Sequence, residues 1–243
     1  MTNIEIEDGI MYTKVPIIAM RVTENREEYI IKSNTQRVKL ECFFGNKTIK
    51  TVKFESGKML LVIDNCAFAN STLENIVLPS NTAKIGANIF MNCKNLKYVK
   101  LNENLRAIPP NAFLNCIGLK KIELPEGIRT IYESAFENCS NLEEIILPSS
   151  LVEIDTNAFR GCSKLKNITL PKNINKIGHR AFDDYSIENI YADKETLIKL
   201  PSLLEAYEEK VKLRKLTLDE LLDEGKSLKE ISNIIKEQDE VIL

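Results

Sequence analysis

Residues 119–139 read LKKIELPEGIRTIYESAFENC, and residues 142–162 read LEEIILPSSLVEIDTNAFRGC. Superimposed, the two stretches share Leu-x-x-Ile-x-Leu-Pro at the start, an isoleucine in the middle (Ile131, Ile154) and Ala-Phe-x-x-Cys at the end. Extending the comparison outward finds the same phenylalanine at Phe68, Phe90, Phe113, Phe136, Phe159 and Phe182, at intervals of 22, 23, 23, 23 and 23 residues. A small or apolar residue precedes each one, and Cys93, Cys116, Cys139 and Cys162 follow three positions later in the central units. Self-similarity at a fixed period of this length is the signature of a stacked-repeat architecture.

The segment Leu-x-x-Ile-x-Leu ends in an apolar–polar alternation, as a half-buried strand requires. The proline that follows in most units (Pro79, Pro125, Pro148, Pro171) lacks an N–H, so it ends strand pairing and starts a bend. One unit buries about five large apolar side chains worth roughly 1.5–3 kcal/mol each, against a backbone ordering cost of about 1–2 kcal/mol per residue. A single unit cannot hold itself together on those terms, so neighbouring units must cover one another. The expected fold is an α/β repeat protein: a right-handed solenoid with a parallel sheet on one face.

The motif Leu119-x-x-Ile122-x-Leu124-Pro125, with Ile131, Ala135-Phe136 and Cys139, resembles the BspA-type leucine-rich repeat, which has a 23-residue unit. The resemblance covers about residues 45 to 193. It departs at the ends, where Ser71 and Tyr185 stand in place of the cysteine, and at Pro109-Pro110, which replaces the pair seen as Gly86-Ala87 and Gly178-His179. The resemblance implies protein binding. Many relatives of this repeat type are surface or secreted adhesion proteins, so an exported adhesin is the alternative it brings with it.

Both flanks change character. Residues 1–48 lack the phenylalanine–cysteine register and read as a small β cap, with Tyr29-Ile30-Ile31 and Val38 to Phe44 as strands. Residues 49–193 are the repeats, beginning with a degenerate turn. Residues 194–243 read as a helical cap or docking element: Thr217-Leu218-Asp219-Glu220 and Ser227-Leu228-Lys229-Glu230 are capping boxes, and Leu228, Ile231, Ile234 and Ile235 share one helix face. A regulator that binds nucleic acid through these helices is a further alternative. It is disfavoured by 12 acidic against 9 basic residues from Lys194 onward.

Composition narrows the function. The chain has 243 residues, a net charge of -2, 44% hydrophobic residues, one histidine and no tryptophan, which fits a globular protein without a polybasic surface. The first ten residues carry three acidic side chains and no base, and the run Val15–Met20 is too short to span a membrane. A cytoplasmic protein without a membrane span is expected. The six cysteines include no C-x-x-C pair, and four of them hold one repeat position, so buried free thiols are expected rather than zinc or disulfides. His179 sits in a slot filled elsewhere by Ala87, Pro110, Glu133 and Thr156, and a Cys162–His179 nucleophilic pair has no third group to orient it. No catalytic residue, metal, cofactor or small-molecule substrate is expected.

What remains is the outward side of the strands, whose residues the core does not need. Tyr98, Ile146 and Tyr191 are the expected anchors for a protein partner, and Lys100, Lys121, Glu123 and Glu144 the residues expected to set register and partner choice. The competing reading of the same mixture is a solvated sheet face laced with cross-strand charge pairs.

Overall fold

The fold is that of a computed structural model and is described for residues 4–7, 10–13, 18–22, 24–182 and 185–213. Three N-terminal strands, β1 (Ile4–Glu7), β2 (Ile10–Thr13) and β3 (Ile18–Val22), form an antiparallel meander. From there the chain winds, and each turn lays one strand on a first face and one on a second. The pairs are β4 (Glu28–Ile31) and β5 (Arg37–Val38), β6 (Thr51–Phe54) and β7 (Leu61–Ile63), β8 (Asn75–Val77) and β9 (Thr82–Ile85), then β10 (Tyr98–Lys100) and β11 (Ala107–Ile108). They continue as β12 (Lys121–Glu123) and β13 (Thr130–Ile131), β14 (Glu144–Ile146) and β15 (Glu153–Ile154), and β16 (Asn167–Thr169) and β17 (Lys176–Ile177), with β18 (Asn189–Ala192) last. Pairing between turns is parallel and in register, as in Ile122 beside Ile145 and Ile131 beside Ile154.

The third side of each turn is the Ala-Phe-x-x-Cys segment. Its amides bond to the next turn (Phe90 N to Ala112 O, 2.9 Å; Phe113 N to Ala135 O, 2.7 Å; Phe136 N to Ala158 O, 2.8 Å), so backbone groups are satisfied between turns here too. Two left-handed residues per turn make this corner: Cys66, Asn88, Asn111, Ser134 and Asn157 at φ 53–56°, and Asn70, Asn92, Asn115 and Asn138 at φ 58–60°. Asparagine tolerates that region better than most side chains, which explains its recurrence there.

The core is the stacked column the repeat requires. From Phe43 through Phe68, Phe90, Phe113, Phe136 and Phe159 to Phe182, ring centroids lie 4.9–6.0 Å apart with interplanar angles of 4–27°. A tyrosine closes each end edge-on: Tyr29 against Phe43 at 5.2 Å and 73°, and Tyr207 against Phe182 at 5.6 Å and 68°. Each buried hydroxyl is bonded to backbone, Tyr29 to the Glu24 carbonyl and the Arg26 amide, Tyr207 to the Phe182 carbonyl. Tyrosine suits a column end because its ring packs while its polar tip finds a partner.

Stacking starts earlier than residue 49. β4 pairs with β6 from Glu28–Thr51 to Ile31–Phe54, and Phe43 stacks on Phe68, so a full turn lies within the segment read as a separate β cap. The stretch Val38 to Phe44, read as one strand, is instead a two-residue strand followed by a turn, with Glu41 at φ 58° and Gly45 at φ 68°. At the other end, α1 (Lys194–Lys199) and α2 (Pro201–Tyr207) carry Tyr207 over the column, and a one-turn 3-10 helix leads into β19 (Val211–Leu213). β19 pairs in parallel with β18, adding a strand where the sequence suggests only helix. The capping boxes at Thr217 and Ser227 and the apolar face of Leu228 lie outside the described residues.

Three steps break the regular ladders, one on the second face and two on the first. On the second face the sheet from β1 to β9 is separate from β11-β13-β15-β17. Pro109 explains the step: at equivalent positions the amides of Tyr132, Asp155 and Gly178 bond to the carbonyls of Ile108, Ile131 and Ile154 at 3.0, 2.8 and 2.7 Å, and proline has no amide to give. On the first face the sheet β4-β6-β8-β10 is separate from β12-β14, and that in turn from β16-β18-β19.

Candidate functional site

The cysteine row is structural. Cys93, Cys116, Cys139 and Cys162 are buried, and their Sγ atoms donate to the carbonyls of Phe68, Phe90, Phe113 and Phe136 at 3.0–3.1 Å. All six cysteines are free thiols. Burial pushes the Cys93 thiol up to about 11 and the Cys139 thiol up to about 12, and holds Cys116 well above the ordinary range. A protonated thiol is a poor nucleophile. Cys162 is buried in the core, while His179 is exposed as its variable slot suggests. Among the described residues, no three His, Cys, Asp or Glu side chains gather where they could hold a metal ion.

The asparagine row is structural as well. Asn92 Nδ2 donates to Asn70 Oδ1 at 2.8 Å, Asn115 to Asn92 at 2.7 Å and Asn138 to Asn115 at 3.1 Å. The left-handed turn points each side-chain amide along the solenoid axis to its copy in the preceding turn.

The first face carries two outward rows. Thr51, Asn75, Tyr98, Lys121, Glu144, Asn167 and Asn189 form one; Lys53, Val77, Lys100, Glu123, Ile146, Thr169 and Tyr191 form the other. Val77, Tyr98 and Ile146 are 49%, 52% and 40% exposed, high values for large apolar side chains. Lys100, Lys121, Glu123 and Glu144 are exposed beside them. Tyr191 is half-buried, because β19 lies against β18 and sets Lys212 at its side. The charge pairs of the competing reading are present too: Lys121 pairs with Glu144 at 2.8 Å and Lys53 with Glu28 at 2.8 Å. Exposed pairs of this kind contribute only about 0–1 kcal/mol, so they leave the face open to exchange partners. A shallow groove of about 790 Å³ runs along it past Glu144, Ile146, Ser149, Thr169 and Pro171, and one of about 500 Å³ past Lys53, Phe54, Val77 and Pro79.

A third line of charges, one residue before the strands, is missed by a reading confined to the strands. It runs Glu27, Lys50, Glu74, Lys97, Lys120, Glu143, Lys166, Glu188, each aligned with the next wherever the ladder bonds are formed (Lys50 N to Glu27 O, 2.7 Å; Glu74 N to Lys50 O, 2.8 Å; Lys97 N to Glu74 O, 2.8 Å; Glu143 N to Lys120 O, 2.8 Å; Glu188 N to Lys166 O, 2.8 Å). Signs alternate at every step but that from Lys97 to Lys120, and pairs form between Lys50 and Glu27 at 2.5 Å, Lys97 and Glu74 at 2.7 Å, and Lys166 and Glu188 at 3.5 Å. The Lys97 ammonium, hydrogen-bonded to the Glu74 carboxylate, holds that carboxyl below its usual range. The repeat spacing that could have revealed this line is present in the sequence, but the line lies outside the strands on which attention falls.

Parallel turns of about 23 residues, a strand on the first face of each and a continuous aromatic–aliphatic core define a leucine-rich-repeat solenoid. The family model for the BspA type leucine rich repeat region matches residues 13–143 and 83–204, with six copies, and the chain belongs to that family. Among solved structures it is similar to a leucine-rich repeat protein from Eubacterium ventriosum, at 25% identity and a TM-score of 0.66 over 75% of this chain and 50% of that one. It is also similar to a leucine-rich repeat protein from Bacteroides ovatus, at 20% identity and a TM-score of 0.59 over 80% of this chain and 63% of that one. The chain thus spans half of the first of these proteins and under two thirds of the second. No curated protein matches the sequence. Among the described residues, no helix is long and apolar enough to cross a membrane.

Proposed function

We propose that this repeat scaffold has no catalytic role and binds a protein partner through its first face, with Tyr98 and Ile146 as anchors, Tyr191 at the edge, and Lys100, Lys121, Glu123 and Glu144 fixing the register. One observation carries the reading: large apolar side chains stand exposed on a face whose inward residues already supply its share of the core. Apolar and aromatic side chains ringed by charge are the usual composition of an energetic centre in an interface. A cytoplasmic setting is part of the proposal and is supported by the free thiols, which persist under reducing conditions. Detection of the chain outside intact cells would overturn that setting in favour of an exported adhesin. Binding itself is tested with the Tyr98→Ala, Ile146→Ala double variant. Partner recovery should fall by about tenfold or more, since each hot-spot truncation costs on the order of 2 kcal/mol, and equal recovery from wild type and variant would end the strand-face reading.

A further inference from the structure

Building on that reading, we infer that the partner segment is acidic and docks where the charge line is faulted, over Tyr98 between β10 and β12. The alternation of the line fails at one step, where Lys97 is followed by Lys120. Lys120's other neighbour, Glu143, turns to Lys164 at 3.7 Å, and neither Lys120 nor Lys100 forms an ion pair among the described residues. The two rungs at the step therefore present Lys97, Lys100, Lys120 and Lys121, all exposed, around a half-exposed tyrosine ring.

Like charges on adjacent rungs repel and destabilise the bare face. The first-face ladder is interrupted here, as it also is between β14 and β16, but only here do like charges meet across the interruption. A surface that keeps such a cost in an otherwise alternating line is complementary to carboxylates brought by another molecule. Lys97 and Lys121 are held only by exposed single pairs to Glu74 and Glu144, which an incoming carboxylate can share. Tyr98 supplies the apolar contact, so the matching segment has Asp or Glu on either side of an aromatic or aliphatic residue.

A nucleic-acid strand fits less well. The basic patch spans two rungs, the second of which also carries Glu123, and is bounded by Glu74 on one side and by Glu143 and Glu144 on the other. A phosphate backbone continuing past it would meet carboxylates, where phosphate-tracking surfaces carry extended positive charge.

The test pans a phage-displayed library of random dodecapeptides on the full chain, then measures a fluorescein-labelled synthetic copy of the dominant sequence by anisotropy. The expected consensus is Asp- or Glu-rich around one aromatic or aliphatic residue. Its affinity should drop about tenfold or more in Lys100→Glu, Lys120→Glu, fall as salt is raised, and stay unchanged in Lys84→Glu, the same charge reversal on the second face. A neutral or basic consensus, an affinity unchanged by the double reversal, or failure to select any sequence overturns the inference. So does tighter binding of labelled oligothymidylate that the same reversal abolishes, which would move the site to nucleic acid. Neutral peptides that still lose binding in Tyr98→Ala, Ile146→Ala would leave the strand-face reading standing and remove only the acidic partner. Peptides indifferent to both double variants would remove both. Circular dichroism of each variant confirms that the fold is intact.

Discussion

Phe136 is fully buried and stacks on Phe113 at 4.9 Å and on Phe159 at 5.3 Å. Its replacement by alanine opens a cavity in the middle of a continuous column, and urea unfolding should show a loss of about 3–5 kcal/mol. The thiols give a second prediction with a definite sign. A thiol in an unfolded chain titrates near about 8.5, whereas Cys93 and Cys139 are pushed up to about 11 and about 12. The folded state keeps protons that the unfolded state releases. Their contribution is therefore fully present below about pH 8.5 and is lost as pH rises through about 11 to 12. Melting temperatures should hold to about pH 8.5 and then fall, and Cys93→Ala, Cys139→Ala should flatten that fall; an unchanged alkaline slope would refute the assignment. The sequence marks these cysteines as small buried residues, but not as donors to the Phe68 and Phe113 carbonyls of a neighbouring turn. That role depends on a distance across turns, which no residue type encodes by itself.

Among the elements, the strands were legible because Leu-x-x-Ile-x-Leu alternates, and their register followed from the constant period. The turn at residues 37–48 was harder to see. Cys42-Phe43 precedes Ala67-Phe68 by 25 residues instead of 23, and Tyr29 fills a strand position held elsewhere by isoleucine or valine. Extra residues at a corner leave a stacked ring in place, since the column constrains the ring and not the loop leading to it. Pro109 shows the reverse: one residue within the period removes one donor, and the second-face ladder steps there. Pro109→Ala supplies an amide able to reach the Ile85 carbonyl. The gain of one hydrogen bond and the loss of proline's restraint on the unfolded chain nearly cancel, so stability should change by less than about 1 kcal/mol. Hydrogen exchange should find the new amide at position 109 protected, and rapid exchange there would mean that the step has another cause.

Taken as a whole molecule, the solenoid is a one-dimensional stack whose turns touch only their neighbours, so damage at an end should stay at that end. Tyr207→Ala uncovers Phe182 and removes a hydroxyl bonded to its backbone. Amide exchange should accelerate at Phe182 and Leu170 while Phe113 and Phe136 keep their protection. Uniform acceleration would show that the column melts as one unit. The same geometry makes the first face a recognition surface: in-register stacking multiplies each outward position into a row, and a row is long enough to meet a partner.

Period, strand position and the identity of the core side chains are properties of the chain read in order, because burial selects residue type at every turn and the selection repeats. The sequence alone therefore determined the solenoid, its phenylalanine column and the outward rows that hold Tyr98 and Ile146. Closure of the column by Tyr29 and Tyr207, the covering of Tyr191 by β19, the asparagine line and the like-charge step from Lys97 to Lys120 were decided only in three dimensions. Each depends on which residues of different turns come to lie side by side, and at the ends and in the loops no repeated burial imposes that choice on the sequence.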